Sequence, residues 1–352
     1  MYQPKRRAWA VLAVVTLVFV FAGLAGCNRS EEGEAEAPAA QKVVFHLNDF
    51  MPATHPVNTN MLVPLAEAVL EQTDGRVEII VHAGNELAAP PDTYDAVVSG
   101  VCGMGFVLPA YTPGRFPMTQ ILEYPFMFTS ALQANLTAAD MAPMLREYEY
   151  TDTQLLWVGG TDLGHILLES PITQLSDLRG RKLRSPGPIY NEVIEELGGV
   201  EVSLPVSDLY DAMDRGVVEG TVMAPSALVS FRLMDVTEQI VEMNMYTTPL
   251  IFFANLDLWN RVSAEDQETI MNIVNTFPQR IGEQYDREVE HAMSAAEEAG
   301  KDIITLSDAD MTAFHALVEP LIAGWIQELE DAGKPGQELY DLAVASAARN
   351  AQ

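Results

Sequence analysis

Between Lys42 and Leu108 the chain runs KVVFHLN (42–48), NMLVPLAEAVLEQT (60–73), VEIIVH (77–82), PDTYDAVVS (91–99) and VCGMGFVL (101–108). The first segment sets Val43, Phe45 and Leu47 at a period of two, the spacing of one face of a strand. In the second, Met61, Leu65, Ala68 and Val69 share one face of a helix that Gly75 stops. Val77, Ile79 and Val81 alternate with Glu78, Ile80 and His82 and predict another strand. Pro91 to Ser99 predicts a helix carried by Tyr94, Val97 and Val98, and Val101 to Leu108 a third strand. Strand, helix, strand, helix, strand with short connections is the pattern of an open α/β sheet, because parallel neighbours need a crossover.

The pattern returns downstream. Lys182 to Arg184 predicts a short strand ending at Pro186, and Ile189 to Leu197 a helix. Ser207 is placed to cap a helix through Leu209, Ala212 and Met213 to Gly216. The last third is helical. Ser263, with Asp266 three residues on, resembles a capping box ahead of Ile270, Ile273, Val274 and Phe277. Ser307 heads a stripe of Met311, Phe314, Leu317, Val318, Leu321, Trp325 and Leu329. Both stripes predict core packing, as do Trp157 and Trp259. No repeat of about 20–50 residues recurs, which excludes a solenoid. Two α/β lobes with helical outworks are the expected architecture.

Composition sets the class. The 352 residues are 48% apolar and 20% charged, enough for folded cores in roughly two domains. Lys+Arg number 20 against 50 Asp+Glu. Three of those basic groups, Lys5, Arg6 and Arg7, precede Cys27, leaving 17 against 50 beyond it, a formal −33. Such a surface repels nucleic acid and anionic lipid, so polyanion binding is excluded. An acidic surface with 15 Arg and only 5 Lys suits a salty exterior, where repulsion is screened.

Lys5, Arg6 and Arg7 lead an uncharged run, Ala8 to Gly26, that reads as an export signal and is also long enough to span a membrane. Its ending, Leu24-Ala25-Gly26-Cys27, resembles a bacterial lipobox. Residues 1–27 are therefore expected to be a lipoprotein signal peptide with lipidation at Cys27, and 28–41 a flexible tether. The alternative is an uncleaved helix. Either way the folded part faces away from the cytoplasm; on the lipoprotein reading the membrane is reached through the lipid anchor only. Cys102, in an apolar Gly-rich run, reads as a buried hydrophobe with nothing nearby to activate it.

Catalytic signatures are missing. The chain has no G-x-S-x-G, H-E-x-x-H, C-x-x-C, G-x-x-x-x-G-K-S/T, or G-x-G-x-x-G opening a helix. Six histidines show no pair at metal-ligand spacing, so neither metal nor cofactor is expected. A hydrolase using two carboxylates leaves no spacing signature and stays open on that ground. An exported two-lobed body of this kind points to a receptor that closes on a solute, not to an enzyme.

The middle of the chain carries a resemblance. Asp177-Leu178-Arg179-Gly180-Arg181-Lys182-Leu183-Arg184-Ser185-Pro186 resembles the D-L-K-G-x-K-[IL]-R-x-P segment of the substrate-binding proteins of TRAP transporters, DctP type. Gly75-Arg76-Val77-Glu78, Tyr111 to Pro117, and Glu123-Tyr124-Pro125-Phe126 resemble other family landmarks in order. So do Leu209 to Gly220, against Y-x-A-L-x-x-G-V-V-D-G, and Phe253 to Trp259, against N-K-x-x-W. The resemblance covers about residues 42 to 340. It implies a two-lobed periplasmic-binding-protein-like α/β fold with mixed sheets, crossing hinge strands and long C-terminal helices. Lobe I is expected over 42–161 plus 249–288, and lobe II over 162–248 plus 289–345. The implied partners are a small organic acid anion and the small and large membrane subunits of a TRAP permease. Receptors of another importer class, such as ABC systems, and an exported enzyme on a similar scaffold are the alternatives.

Arg184 matches the family arginine that pairs with the ligand carboxylate, and a guanidinium offers a planar fork to two oxygens. The alternative is a structural arginine tied to a core acid. Asn48, Leu108, Tyr111 and Met223 align with ligand-contacting positions, and Pro186 closes the arginine motif. Phe50 is placed either to stack on a ligand or to plug the lobe edge, and His165 to assist Arg184. His55 and Asn58 are placed either to reach the cleft or to cap the next helix, with capping favoured. A second family arginine matches Gly164 here, Met223 replaces an amide or acid, and Leu108 replaces a charged group of sugar-acid binders. Each loss removes a polar partner, so the expected ligand is a monocarboxylate with an apolar or aromatic tail.

Overall fold

A computed structural model describes residues 42–351. The expected signal peptide, Cys27 and the tether lie outside the described residues. The strands are β1 (Val43–Asp49), β2 (Val77–His82), β3 (Met104–Val107), β4 (Thr153–Leu163), β5 (His165–Leu168) and β6 (Lys182–Ser185). They continue with β7 (Val200–Ser203), β8 (Gly220–Met223), β9 (Gln239–Glu242), β10 (Thr247–Asn255) and β11 (Asp302–Thr305).

Two mixed sheets result. The first has the order β2-β1-β3-β10-β4, with β1 parallel to β2 and β3, and β10 antiparallel to both neighbours. The second has the order β11-β9-β5-β8-β6-β7, with β5 antiparallel to β8 and β9. β1 to β3 follow the period-two reading: Phe45 and Leu47 are fully buried, and helix Val63–Gln72 buries Leu65 and Val69. The fold is the two-lobed α/β fold with mixed sheets.

The chain leaves the first sheet at Gly164, between β4 and β5, and returns through residues 243–246, between β9 and β10. These two passages pair with each other: Gly164 N–H donates to Tyr246 O at 2.7 Å, and Met245 N–H to Gly164 O at 3.0 Å. Glycine is required there, because a Cβ would sit 2.7 Å from the Tyr246 ring. That ring is held in turn by Tyr190, 3.9 Å away between centroids.

Long helices clamp the first sheet. Phe277–Glu298 crosses Ala131–Tyr148 so closely that a Cβ on Gly282 would lie 2.5 Å from Leu132 Cα. Asp286 on the former accepts the Ala131 and Leu132 N–H groups at 2.8 and 3.2 Å, satisfying donors that a helix start leaves free. Ser263 and Ser307 cap their helices as expected, accepting the Asp266 and Asp310 N–H groups. Asp266 does not complete a capping box in return; its carboxylate holds Arg76 at 2.7 and 3.1 Å. Ser207 is a correction: it lies inside the short turn Val206–Asp208 and gives helix Leu209–Asp214 no side-chain cap. Val98 and Leu317, expected inside, are exposed. Cys102 is fully buried, and burial raises its thiol pKa.

Candidate functional site: an arginine in a closed apolar cavity

Strand ends from both sheets converge. Phe50 follows β1, Leu108 follows β3, Arg184 lies on β6, and Met223 ends β8. Carboxyl ends of strands are where open α/β sheets leave a crevice. Phe50, Leu108, Tyr111, Arg184 and Met223 line one inner cavity of about 30 Å³, with His55, Phe231, Leu250 and Tyr285 among its other walls. An outer cleft of about 740 Å³ shares Phe50, Ser226, Ser230 and Phe231 with it. The two phenylalanines therefore belong to the partition between cleft and cavity.

Arg184 is only 1% exposed. Its Nε donates to Leu204 O at 2.9 Å and its Nη1 to Met223 Sδ at 3.4 Å. Nη2 is buried without a partner among the described residues. Among the described residues no carboxylate forms an ion pair with it, so it is not tied to a core acid. A thioether is a weak acceptor, and a buried guanidinium served this poorly costs several kcal/mol until an anion reaches it.

Tyr111 braces the same wall. Its hydroxyl accepts Val206 N–H at 3.0 Å, and its ring meets the Phe50 ring edge-on at 5.9 Å. Burial holds the phenol above its usual range against the pull of the Arg184 charge. Phe50 thus packs on Tyr111 and also lines the cavity.

Three expected positions are not brought there. Asn48 is consumed by the loop after β2: Oδ1 accepts the Leu87 and Ala88 N–H groups, and Nδ2 donates to Ala88 O and Thr93 Oγ1. His165 opens β5 opposite Met223, is 2% exposed, and accepts Asn244 N–H at 3.4 Å on Nδ1. Burial lowers its pKa. Pro186 lines a separate surface hollow with Pro188, Asn191 and Pro205. Gly164, matched to a second arginine, has its side-chain space filled by Tyr246.

The sequence reading assigned no ligand role to Phe231, Leu250 or Tyr285, and for His55 favoured capping over reaching the cleft. His55 does cap: Nδ1 accepts Val57 N–H at 3.2 Å, just before the helical turns Asn58–Leu62 and Val63–Gln72. It also lines the cavity, so the two placements weighed for it coexist. Asn58 does not cap; its amide donates to Asp49 Oδ2 at 2.6 Å and to the Pro52 carbonyl. Among the described residues no cluster of side chains could hold a metal ion.

The sequence model of the bacterial extracellular solute-binding proteins of family 7, DctP, matches residues 47–328. The chain belongs to that family. Among solved structures this DctP protein is similar to a marine metagenome TRAP solute-binding protein from an unidentified microbe, specific for aromatic acid ligands and complexed with metahydroxyphenylacetate. The TM-score is 0.82 at 28% identity, covering 88% of this chain and 100% of that one. A TRAP periplasmic solute-binding protein from Bordetella bronchiseptica, with bound (R)- and (S)-mandelate, gives a TM-score of 0.82 at 25% identity, covering 87% and 99%. The outer membrane transporter protein TsaT of Comamonas testosteroni is 23% identical over 320 residues, 89% of this chain and 94% of the relative. The family and these structural neighbours are solute-binding receptors, and the DctP match places this chain among TRAP solute-binding proteins.

Proposed function

We propose that this DctP protein is the extracytoplasmic receptor of a TRAP-type importer and captures a small monocarboxylate with an apolar or aromatic tail. The observation that carries the reading is Arg184, buried, with no counterion and no Nη2 partner among the described residues, in a cavity whose walls include Phe50, Leu108, Met223 and Phe231. A carboxylate accepts from two guanidinium nitrogens at once, while the apolar walls take the tail. Relatives named for aromatic-acid and mandelate ligands support the class. A cavity of about 30 Å³ holds no such acid, so entry requires the lobes to part and then close on it. The closed receptor then delivers the acid to the small and large permease subunits. Export and a lipid anchor at Cys27 fit this role, which needs the receptor near its permease.

Thermal-shift and calorimetric titration of the purified protein with aliphatic, aryl, di- and sugar carboxylates is the test. Saturation at a hundredfold over Kd adds about 2.7 kcal/mol of stability, a plain rise in Tm. Arg184→Ala should weaken binding of the best acid by about 2–5 kcal/mol while the protein stays folded. A folded variant with wild-type affinity would remove Arg184 from the site, and preference for sugar acids would overturn the apolar-tail assignment.

A further inference from the structure

We propose that His55 and Tyr285 form a second, uncharged polar subsite in the Arg184 cavity, which takes one neutral oxygen, a hydroxyl or carbonyl, on the ligand's tail. The proposal rests on the carboxylate reading of Arg184 and narrows it from apolar acids to hydroxy- or oxo-substituted ones. Both groups line the inner cavity, and both are almost fully buried, at 3% and 1% exposure.

His55 has its tautomer fixed by the fold. Because Nδ1 accepts Val57 N–H, the proton of the neutral ring sits on Nε2. Nε2 has no partner among the described residues, and the ring is steadied on Phe231, 5.6 Å away between centroids. Burial lowers the pKa of His55 to about 4, so the ring is a neutral donor at ordinary pH. Tyr285 sits on the clamping helix Phe277–Glu298, and its hydroxyl likewise has no partner among the described residues. Burial first, then the carboxylates of Glu288, Asp162 and Asp49, hold that phenol well above its usual range. It therefore stays protonated, able to donate or to accept.

The neighbourhood decides the charge of the group received. Asp49, bonded to Asn58, and Asp162, bonded to Ser226, stand near Tyr285 together with Glu288. No Lys or Arg other than Arg184 lines the inner cavity. A second carboxylate would meet acids without a cation, whereas a hydroxyl or carbonyl oxygen needs only a donor. An acid that brings the oxygen supplies these groups with a hydrogen bond, whereas its plain counterpart excludes water from them and supplies none. The two ends of the cavity thus ask for different oxygens: a charged pair at Arg184 and a neutral one at His55 and Tyr285.

Calorimetric titration of the purified protein with matched pairs tests this: benzoate against 3-hydroxybenzoate, phenylacetate against mandelate and phenylglyoxylate, with isophthalate as the dianion. In wild type at least one oxygen-bearing acid should bind about tenfold tighter than its plain partner, and isophthalate more weakly than benzoate. His55→Asn keeps a side-chain acceptor for the helix start but is too short to place a donor where Nε2 stands, and Tyr285→Phe keeps the ring. In each variant the ratio within the preferred pair should shrink to about threefold or less. A wild type blind to the extra oxygen, or folded variants that keep its full preference, would overturn the subsite and leave Arg184 untouched. A wild type that binds no acid would overturn the carboxylate reading, and the subsite with it.

Discussion

Glu123 is the residue whose chemistry departs furthest from its surroundings. It ends the turn Thr119–Glu123, is fully buried, and neither carboxylate oxygen has a partner. Burial pushes its pKa up to about 8, and the same cause raises Asp49 and Glu288 to about 7 and Asp162 to about 6. A pKa raised on folding gives stability that is whole below the unfolded value near 4 and fades as pH climbs through the folded one. Tm should therefore fall between about pH 5 and pH 9, and Glu123→Gln should flatten the upper part of that fall. Equal slopes in wild type and variant, from unfolding curves across pH 6–9, would clear Glu123 of the effect. His55 works the other way: its depressed pKa costs stability only as pH drops from about 6.5 towards 4.

At this scale Arg184, Leu108, Tyr111 and Met223 were legible only through the family resemblance, and Phe50 through its place two residues past Asn48; all five line the inner cavity. Asn48 aligns in the same way, yet its amide is taken by a loop that arrives from 40 residues away. Tyr285 and Phe231 were hidden for the opposite reason. One is a member of an amphipathic helix, the other follows the four-residue helix Ala227–Ser230, and only the packed chain shows which face meets the cavity.

Elements were legible where periodicity is strong and blurred where caps or crossings decide. β1, β2 and the helices headed by Ser263 and Ser307 follow their patterns, because burial of one face and a satisfied first turn act together. Ser207 fails as a cap because a tight turn precedes its helix and absorbs the residue. Gly164 shows what a pattern cannot convey: its need for hydrogen at Cα comes from Tyr246, 82 residues on, in the antiparallel return passage. Gly164→Ala should cost about 1–3 kcal/mol, since the Tyr246 ring is itself wedged against Tyr190. Urea unfolding measures this, and an unchanged midpoint would mean that the crossing has slack.

Across the whole molecule the acidic excess is the dominant physical fact. With a formal charge of −30 the folded chain repels itself, and salt relieves this as the Debye length shrinks from about 30 Å at 0.01 M to about 3 Å at 1 M. Tm should rise over that range of NaCl, most steeply at the low end, and a flat or falling curve would contradict it. The same field opposes any approaching anion, whereas the guanidinium of Arg184, buried away from the surface charge, exerts an attraction that solvent screens little.

The double crossing at Gly164 and residues 243–246 also has a genetic reading. Apart from edge strand β11, the second sheet is a single uninterrupted stretch, 165–242, inserted into the first. Arg184, Met223 and Phe231 are encoded inside that insert; Phe50, His55, Leu108 and Tyr111 lie before it, and Leu250 and Tyr285 after it. Recombination that exchanges only the insert would replace Arg184, Met223 and Phe231 together while leaving Phe50, His55, Leu108, Tyr111, Leu250 and Tyr285 in place. New ligand preferences are thus reachable by reshuffling two inherited halves of the cavity, without rebuilding either one residue by residue.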